Sequence, residues 1–549
     1  MEGPESPVTR LRTALRQVVA NHQLRQVEAG WLIGVAAEWA YLVSLLVYAY
    51  DVGGVLAVGL ASTLRMLPAA LLAPLLTSLT DRLPRGRVLL AVHVCRGIAV
   101  GLAALAVVAD LSVIIVVAAA VAEGIVATLH RPTTMSLLPA LARSPEELIA
   151  SNAVTSTGEA IGLLMGPALG GLLLTIGGPS VGLAVPAVAF MAASTALLSV
   201  RAGAVTPVDT AVASRTSRLL AGFGALRSYP SAGSLVAIFI SQTFVRGVLT
   251  VLLVAASVEL LGLGRSGVGY LSSAMGAGGF LGAMVAFGLV MRRDLALPFS
   301  VSLAMWGLPI AFIGLLPQSI MAFAFLGILG MANAVLDVSG FTLLQRSVPN
   351  HLRGRVFGAL EALVALSVAG GSLVAPIVVS LIGLQPAMVV TGLLLPILAL
   401  ITNRVVRAAD VAAVVPHREL ALLRGVPMFA PLPLTALEGL AGGMVPVHFA
   451  PGESIVRQGE AGNDYFLIAS GAAEVIQDEQ RIAILRDGDG FGEIALLRDL
   501  PRTATVTALE DVAGYSLPRP VFLEAVTGNA TSADVADRVV TERLVTTAP

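Results

Sequence analysis

The sequence predicts a membrane-embedded, all-α bundle of twelve helices, followed by a separate water-soluble β-roll with flanking helices. The 549 residues are 56% apolar and only 13% charged, whereas soluble domains carry about 25% charged residues. The charges are also unevenly divided. Residues 1–424 carry 26 Arg and 18 acidic residues, and residues 425–549 carry 8 Arg and 17 acidic residues. The first part therefore suits a lipid environment and the last part suits water.

Twelve apolar stretches are long enough to cross a bilayer, which takes about 20 helical residues. They lie at residues 30–50, 53–79, 87–109, 111–129, 154–177, 180–200, 232–258, 266–290, 296–316, 319–344, 356–382 and 386–403. The preceding segment mixes apolar residues with Arg, which predicts an amphipathic helix on the lipid surface.

Arginine residues set the predicted orientation, because positive charge is retained on the cytoplasmic side of short loops. They gather in alternate connections, at Arg82, Arg85 and Arg87; Arg131 and Arg143; Arg201, Arg215, Arg218 and Arg227; Arg292 and Arg293; and Arg346, Arg353 and Arg355. The opposite connections are nearly bare, with Arg265 as the exception. We therefore expect a multi-pass protein of the cytoplasmic (inner) membrane with both termini in the cytoplasm.

A long central loop divides the spans into six and six, and a weak internal repeat supports this division. The sequence Gly162…Gly166-Pro167 is echoed by Gly371…Ala375-Pro376. Two six-span repeats related along the membrane normal are the design of one large transporter class. The predicted organisation is an amphipathic segment (1–29), a first repeat (30–200), a cytoplasmic loop (201–231), a second repeat (232–404), a linker (405–424) and a soluble domain (425–549).

Residues 77–87 and residues 162–171 of the first repeat form two motifs, which resemble those of the major facilitator superfamily of transporters. Residues 77–87 are similar to its loop motif G-x-x-x-D-R-x-G-R-R, with Thr77 in place of the first Gly and an extra Pro-Arg step. Residues 162–171 match the motif G-x-x-x-G-P-x-x-G-G of the superfamily's exporters. The glycines would let helix backbones touch, and the proline would bend its helix; plain helix packing is the alternative. The resemblance implies gating roles for Asp81, Arg82, Arg87, Gly162, Gly166, Pro167 and Gly170.

Ionisable residues inside the spans are candidates for coupling, because a charge at mid-bilayer costs about 2.5–3.5 kcal/mol. The proton-coupling and transport candidates are Glu38, Arg65, Glu123, Glu159, Arg246 and Asp337. One possible arrangement pairs Arg65 with Glu38 and Arg246 with Asp337, although no spacing establishes it. Arg96, Glu159 and Glu361 lie near predicted cytoplasmic ends, where they can reach the interface. His130 is interpreted as an interface anchor.

The last 125 residues contain short alternating runs, such as 481–485 and 504–508, separated by Gly/Asp turns, which predicts a β-barrel or roll. Within this region, residues 491–506 resemble the phosphate-binding cassette of the cyclic-nucleotide-binding domain shared by the regulatory subunit of cAMP-dependent protein kinase and the catabolite activator protein. They contain Phe491-Gly-Glu-Ile-Ala-Leu-Leu and Pro501-Arg-Thr-Ala-Thr-Val. The resemblance covers about residues 421–546.

The resemblance implies a nucleotide site that binds cAMP or cGMP. Its predicted residues are Gly492, Glu493, Ile494, Ala495, Arg502, Thr503 and Ala504. Amides at the start of a short helix and Arg502 would bind the cyclic phosphate, and Glu493 would accept from the ribose 2′-hydroxyl. An apolar cap is expected from a helix over 532–544, through Val535, Val539 or Leu544. The alternative is a roll that binds no nucleotide.

These features predict a secondary active transporter, specifically a proton-coupled exporter of a small amphipathic or lipid-like substrate, regulated allosterically by cAMP or cGMP. The alternative is a membrane receptor whose bundle binds a ligand without moving it. The sequence contains no nucleophile–base arrangement, Walker loop or metal-ligand cluster that would indicate an enzyme, an ATP-driven pump or a metal site. A net charge of −1 does not support nucleic-acid binding. The expected partners are the bilayer, a cyclic nucleotide and a small-molecule substrate.

Overall fold

The computed structural model describes residues 16, 18–80, 83–200, 224, 226–288, 294–348, 350–412 and 417–546. The chain forms two compact units, Met1–Ala412 and Ala413–Pro549, and each is described by itself. Their boundary falls inside the predicted linker 405–424. Most of the predicted central loop, 201–231, lies outside the described residues, as does most of the N-terminal segment before residue 18.

The first unit is helical throughout its described residues. Its helices are α1 (His22–Thr80), α2 (Arg85–Val108), α3 (Val113–Ala127), α4 (His130–Leu141), α5 (Pro145–Leu197), α6 (Pro230–Ala255), continued by a π-helical turn (Ala256–Leu260), α7 (Gly264–Phe287), α8 (Ala296–Leu315), α9 (Ser319–Arg346), α10 (Asn350–Ile382) and α11 (Leu384–Ala412). Many of their large apolar side chains face outward, as expected where the surroundings are lipid. Part of the predicted amphipathic segment, from His22 onward, is continuous with the first span.

The helices α1 and α5 are each interrupted by a pair of glycines. Gly53 and Gly54 leave the helical backbone conformation in α1, and Gly177 and Gly178 do so in α5. The second glycine of each pair has a positive φ, 59° and 63° respectively. This conformation is open to glycine because it has no Cβ. Each pair therefore marks a point where the chain can reverse direction.

Distances across the breaks establish that both helices fold back on themselves. Arg65 Nη2 lies 3.5 Å from Glu38 Oε1, although 27 residues of straight helix would separate them by about 40 Å. In α5, a methyl group at Gly162 would lie 2.5 Å from Val35, while a methyl group at Gly30 would lie 3.4 Å from Leu197. The two ends of α5 thus pack on the same stretch of α1, so α5 is a hairpin.

Ten stretches of the described residues are long and apolar enough to cross a membrane. Two of them, His22–Ala73 and Glu147–Leu197, have 52 and 51 residues and contain the hairpins. The helical bundle predicted from the sequence is confirmed, whereas its count of twelve spans stays a prediction that requires each hairpin arm to cross separately.

The second unit is an antiparallel β-roll with helices at both ends, as predicted. Its helices are α12 (His417–Gly425), α13 (Leu434–Gly442), α14 (Glu493–Arg498), α15 (Arg519–Thr527) and α16 (Ala530–Thr546). Its strands are β1 (Val445–Phe449), β2 (Ser454–Val456), β3 (Asp464–Ser470), β4 (Ala473–Gln477), β5 (Gln480–Leu485), β6 (Gly490–Phe491), β7 (Thr505–Ala508) and β8 (Val512–Pro518). They form two sheets, ordered β1-β8-β3-β6 and β2-β7-β4-β5.

Two apolar cores position the site in this unit. Between the sheets, Val456, Ile468 and Phe491 are buried together. A second core joins the helices to β3, where Tyr465 stacks on Phe522 with ring centroids 4.9 Å apart. Because α14 follows Phe491 of the first core and contributes Leu496 to the second, its first turn is fixed beside the roll.

Candidate functional site

A cavity of about 400 Å³ opens in the second unit beside α14. Its walls come from the roll, from the segment that connects β6 to β7, and from the last turn of α16. All seven residues predicted for the nucleotide site line this cavity: Gly492, Glu493, Ile494, Ala495, Arg502, Thr503 and Ala504. The structure therefore brings the complete predicted set together in one pocket.

Gly492 begins the short helix α14 in a conformation that requires glycine. Its φ is +98°, and it is the N-cap of the helix. The first amides of a helix have no partner within the helix itself, so those of Ile494 and Ala495 are donors at the cavity wall. A side chain at position 492 would collide with the guanidinium of Arg502.

Arg502 is buried, with 7% of its surface exposed, and it is held by backbone oxygens. Its Nη1 donates to Gly492 O at 3.2 Å, and its Nη2 donates to Asp464 O at 2.7 Å. The guanidinium also lies over the ring of Phe466, 5.7 Å from the centroid. Burial lowers the pKa of Arg502. These bonds orient the guanidinium, and no carboxylate among the described residues pairs with it directly, so it is suited to an anion in the cavity.

Glu493 is more deeply buried than Arg502, with 1% of its surface exposed. Its Oε1 accepts from Arg543 Nη1 at 2.7 Å, while its Oε2 has no partner among the described residues. The sequence analysis missed Arg543, which lies 50 residues away in the last turn of α16. The available signal was a basic residue at the end of the predicted C-terminal helix.

The predicted apolar cap is arranged differently in the structure. Val535 and Val539 pack against the core shared by the helices and β3, so they do not cover the cavity. From α16, the residues that line the cavity are instead Glu542 and Arg543. The side chain of Leu544 lies outside the described residues.

In the first unit, three of the candidate charges, Glu38, Arg65 and Glu123, form one buried cluster together with Arg96. Arg96 Nη2 lies 2.7 Å from Glu123 Oε1 and 2.9 Å from Glu38 Oε2. Arg65 Nε lies 2.9 Å from Glu123 Oε2, and Arg65 also approaches Glu38. Both Arg96 and Glu123 are fully buried, whereas the side chain of Glu38 is 28% exposed. Two carboxylates and two guanidiniums thus balance each other, and Glu38 is the most exposed member of the cluster.

Two buried histidines extend this cluster and were not selected from the sequence. His130 is 3% exposed, so its interpretation as an interface anchor was wrong. Its Nδ1 lies 3.5 Å from Arg96 Nη1, and its ring lies 4.9 Å from that of His93. Arg96, which had been placed near a span end, is at the centre of this network.

A further buried carboxylate lies in the part of α1 that was predicted to be a surface helix. Glu28 is 6% exposed and accepts hydrogen bonds from the hydroxyls of Ser151 and Thr155. A periodic mixture of apolar and charged residues does not distinguish a lipid surface from a protein surface, which is why Glu28 was missed.

The remaining charge candidates lie apart from the cluster. Asp337 Oδ2 accepts from Asn333 Nδ2 at 2.9 Å, and no ion pair joins it to Arg246 within the described part of the chain. Glu159 pairs with Arg131 at 2.8 Å, and both side chains are exposed. Glu159 thus belongs to an ion pair on the surface rather than to a buried one.

The exporter-like motif lies at close contacts between helices. A methyl group at Gly166 would lie 2.6 Å from Trp39 Cβ, and one at Gly170 would lie 2.9 Å from Ala40 O. On the other face of the same helix, Gly171 and the carbonyl of Pro167 contact residues 266–269 of the second repeat. The motif therefore lies at the contact between the two repeats.

The loop motif is described only in part. Asp81 and Arg82 lie outside the described residues, while Arg87 is exposed on α2. Arg85 Nη1 donates to Ser136 O at 2.7 Å. Among the residues that the structure describes, no group of three or more His, Cys, Asp or Glu side chains is arranged to hold a metal ion.

Comparison with known proteins assigns a family model to each unit. Residues 30–372 match the Major Facilitator Superfamily, and residues 446–529 match the Cyclic nucleotide-binding domain. The helical bundle and the roll therefore agree with both resemblances found in the sequence.

Curated relatives match the second unit. A cAMP-dependent protein kinase regulatory subunit of Yarrowia lipolytica is 42% identical over 88 residues, which are 16% of this chain and 24% of the relative. A cGMP-dependent protein kinase of Toxoplasma gondii is 41% identical over 90 residues, 16% of this chain and 9% of the relative. The chain thus spans a quarter or less of these relatives. A solved regulatory subunit of a cAMP-independent protein kinase A from Trypanosoma cruzi, bound to guanosine, is 26% identical, with 20% of this chain and 40% of that chain covered and a TM-score of 0.20.

Proposed function

Since this chain belongs to the Major Facilitator Superfamily, we propose that it is a secondary transporter regulated by cAMP or cGMP bound to its second unit. The observation that carries the regulatory part is the cavity beside α14, which contains a buried cation, Arg502, and a buried carboxylate, Glu493. A roll that served only as structure would have no need of two buried charges, since burial without a partner is costly.

The cavity suits a cyclic nucleotide in size and in charge. Its volume of about 400 Å³ is within the usual range of ligand pockets, roughly 300–1,000 Å³. Arg502 and the amides of α14 suit the phosphate, and the remaining oxygen of Glu493 suits a hydroxyl donor. Apolar residues of the roll, including Val475, Ile482 and Leu485, suit a base.

Calorimetry on the purified full chain in detergent tests nucleotide binding. We expect cAMP or cGMP to bind the wild type and the variant Arg486→Glu, whose arginine is exposed. Arg502→Glu should abolish binding because it places a negative charge against the phosphate. Absence of binding to the wild type, or equal binding to both variants, would refute this part of the proposal.

For the first unit we propose proton-coupled export of a small amphipathic or lipid-like substrate, with Glu38 as the proton-exchanging group. Glu38 has the most exposed side chain of the buried cluster, and it faces both Arg65 and Arg96. Protonation of Glu38 would leave those guanidiniums with one carboxylate between them, which gives a direct electrostatic link between proton binding and helix packing. We place both termini and the second unit on the cytoplasmic side of the inner membrane.

Transport is tested with the full chain in proteoliposomes, using tetraphenylphosphonium as an amphipathic cation. We expect counterflow exchange of this cation. Its rate should change when saturating cAMP or cGMP is present on the side of the membrane that carries the second unit. Glu38→Gln should retain counterflow but lose the response to a pH gradient, whereas Glu159→Gln should retain both. If a panel of amphipathic compounds that bind the protein shows no counterflow, the bundle acts as a receptor.

A further inference from the structure

Glu28 is buried between α1 and α5 with hydroxyl groups as its hydrogen-bond partners. Only 6% of its surface is exposed. Ser151 Oγ donates to Glu28 Oε1, and Thr155 Oγ1 lies 2.9 Å from Oε1 and 3.0 Å from Oε2. Within the described part of the chain, no ion pair joins Glu28 to an arginine or a histidine. An ionised Glu28 would therefore be held in place by two hydroxyls alone.

The contacts of Thr155 offer too few hydrogen atoms for an ionised Glu28. Besides both oxygens of Glu28, Thr155 Oγ1 lies 3.0 Å from Ser151 O, so three acceptors share one hydroxyl hydrogen. A proton on Glu28 Oε2 removes this shortage. Oε2 then donates to Thr155 Oγ1, Thr155 donates to Ser151 O, and Ser151 Oγ donates to Glu28 Oε1. Each of the three groups thus has its own hydrogen and its own acceptor.

Glu123 shows how the same bundle holds an ionised carboxylate. It is fully buried and lies within 2.9 Å of two guanidiniums, those of Arg65 and Arg96. A buried charge without such a partner is costly, because burial removes its hydration. The partners of Glu28 are neutral hydroxyls, so its surroundings suit a neutral side chain.

Charged groups on the surrounding elements have other positions or partners. On α1, His22 and Arg25 are exposed. On α5, Glu147 accepts from the side chain of Asn21. The two buried histidines, from α2 and α4, contact α1 about two turns further along. The protonation of Glu28 therefore depends mainly on its burial and on the two hydroxyls of α5.

These histidines occupy the interval between Glu28 and the charge cluster. Glu28 and Glu38 are ten residues apart on one unbroken stretch of helix, a distance of about 15 Å. Between them, a methyl group at Gly34 would lie 3.0 Å from His93 Nε2 and 3.1 Å from His130 Cε1. His130 Nε2 is buried without a hydrogen-bond partner among the described residues. Titratable groups thus follow one another along α1 from Glu28 to Glu38.

We propose that Glu28 is a second proton-binding site of the first unit, which carries a proton on Oε2 in this structure and exchanges it during transport. The exchange breaks one O–H bond, transfers the proton to water or to a neighbouring imidazole, and leaves a carboxylate. This inference rests on the proposed proton coupling at Glu38. It adds that coupling requires two carboxylates on α1, one within the charge cluster and one outside it.

Infrared spectroscopy of the full chain in detergent at neutral pH tests whether Glu28 is protonated. The proteins are the wild type, Glu28→Gln and Glu159→Gln; the last removes an exposed carboxylate that pairs with Arg131. Subtracting the spectrum of Glu28→Gln from that of the wild type should leave the carbonyl band of a protonated carboxyl group, which shifts in D2O. Subtracting that of Glu159→Gln should leave carboxylate bands. If the first subtraction also leaves carboxylate bands, Glu28 is ionised and the inference is overturned.

Proteoliposomes test whether this proton is exchanged during transport. Gln has the shape of a neutral carboxyl group but no proton to release, so Glu28→Gln should retain counterflow of tetraphenylphosphonium. Its transport driven by a pH gradient should be slower by about tenfold or more. Glu159→Gln should retain both rates. A wild-type rate of pH-driven transport in Glu28→Gln overturns the inference.

Thermal unfolding separates this role from a structural one. Because Gln replaces a neutral group of the same shape, Glu28→Gln should unfold near the wild-type temperature, whereas Glu123→Gln removes a charge from ion pairs with Arg65 and Arg96. A loss of stability as large as that of Glu123→Gln would mean that Glu28 is held as an ion, which overturns the inference. If the wild type itself does not respond to a pH gradient, the proposed proton coupling fails, and that failure is distinct because it appears without any substitution.

Discussion

Arg502 Nη1 donates a hydrogen bond of 3.2 Å to the carbonyl oxygen of Gly492, the residue that begins α14. The arginine that would bind the phosphate is thus oriented by the same glycine that exposes the helix amides. A methyl group at position 492 would overlap Arg502, whereas one at Gly488 would meet no atom within 4 Å. Both glycines have positive φ, 98° and 87°, so they differ in this contact rather than in backbone strain.

We therefore expect Gly492→Ala to weaken cyclic-nucleotide binding about tenfold or more, because Arg502 must move. Gly488→Ala should carry a similar backbone strain, about 1–2 kcal/mol, and retain wild-type affinity. Calorimetry with cAMP and cGMP measures the affinities, and thermal unfolding measures the strain. Equal affinities for the two variants would contradict the proposed role of Gly492 in positioning Arg502.

The buried charge cluster should be sensitive to loss of one charge. Glu123→Gln leaves Arg65 and Arg96 with Glu38 as their remaining carboxylate partner within the cluster, so we expect destabilisation of about 3–5 kcal/mol. Thermal unfolding in detergent measures this loss. Glu159→Gln, in an exposed pair with Arg131, should cost at most about 1 kcal/mol. Comparable losses of stability in the two variants would indicate that the buried cluster stabilises the protein no more than an exposed ion pair does.

The close helix contact at the exporter-like motif predicts a large effect from a single methyl group. Gly166→Ala would place that group 2.6 Å from Trp39 Cβ and 2.9 Å from Ala36 O, so we expect destabilisation of about 1–3 kcal/mol and slower counterflow. Gly358→Ala is the control, since position 358 is helical and open. Alanine there should be neutral or stabilising by up to about 1 kcal/mol. If Gly166→Ala changes neither stability nor counterflow, the motif does not depend on close helix packing.

An ion pair joins the two repeats next to the glycine turn of α1. Arg265 Nε lies 2.9 Å from Asp51 Oδ1, and Arg265 was the lone arginine on the otherwise bare side of the predicted membrane. We expect Asp51→Arg to separate the repeats on that side. The double swap Asp51→Arg with Arg265→Asp should restore the contact.

Spin-label distances between the two repeats, measured on a Cys95→Ser background, provide the test, because Cys95 is exposed and would otherwise react. A single exposed ion pair contributes at most about 1 kcal/mol. Its loss should therefore change the ratio of the joined to the separated arrangement of the repeats by about fivefold or less. If the double swap behaves like Asp51→Arg alone, the pair does not hold the repeats together.

Much of the candidate nucleotide site could be predicted from the sequence because its residues are close together in the chain. Gly492, Glu493 and Arg502 lie on a short helix and the segment that follows it, so local geometry brings them to one wall. The partner of Glu493 could not be found in this way. Arg543 contacts Glu493 because α16 packs beside α14, and the sequence around either residue does not indicate that contact.

In the first unit, the composition and the length of the apolar stretches determined that the chain forms an apolar helical bundle, because about 20 apolar residues are required for each crossing. The sequence also identified Glu38, Arg65 and Glu123 as intramembrane charges. It could not decide that they share one site with Arg96, since each lies on a different helix or hairpin arm and periodicity does not fix helix rotation.

The sequence by itself therefore determined the two bodies, their opposite charges and the contiguous nucleotide cassette, since these depend on composition and on neighbours along the chain. Only the tertiary structure decided which charges are partners. It joined Arg96 to Glu38 and Glu123 and Arg543 to Glu493. The physical reason is that a buried charge is stabilised by whichever opposite charge helix packing brings within hydrogen-bond distance, however far apart the two are in sequence.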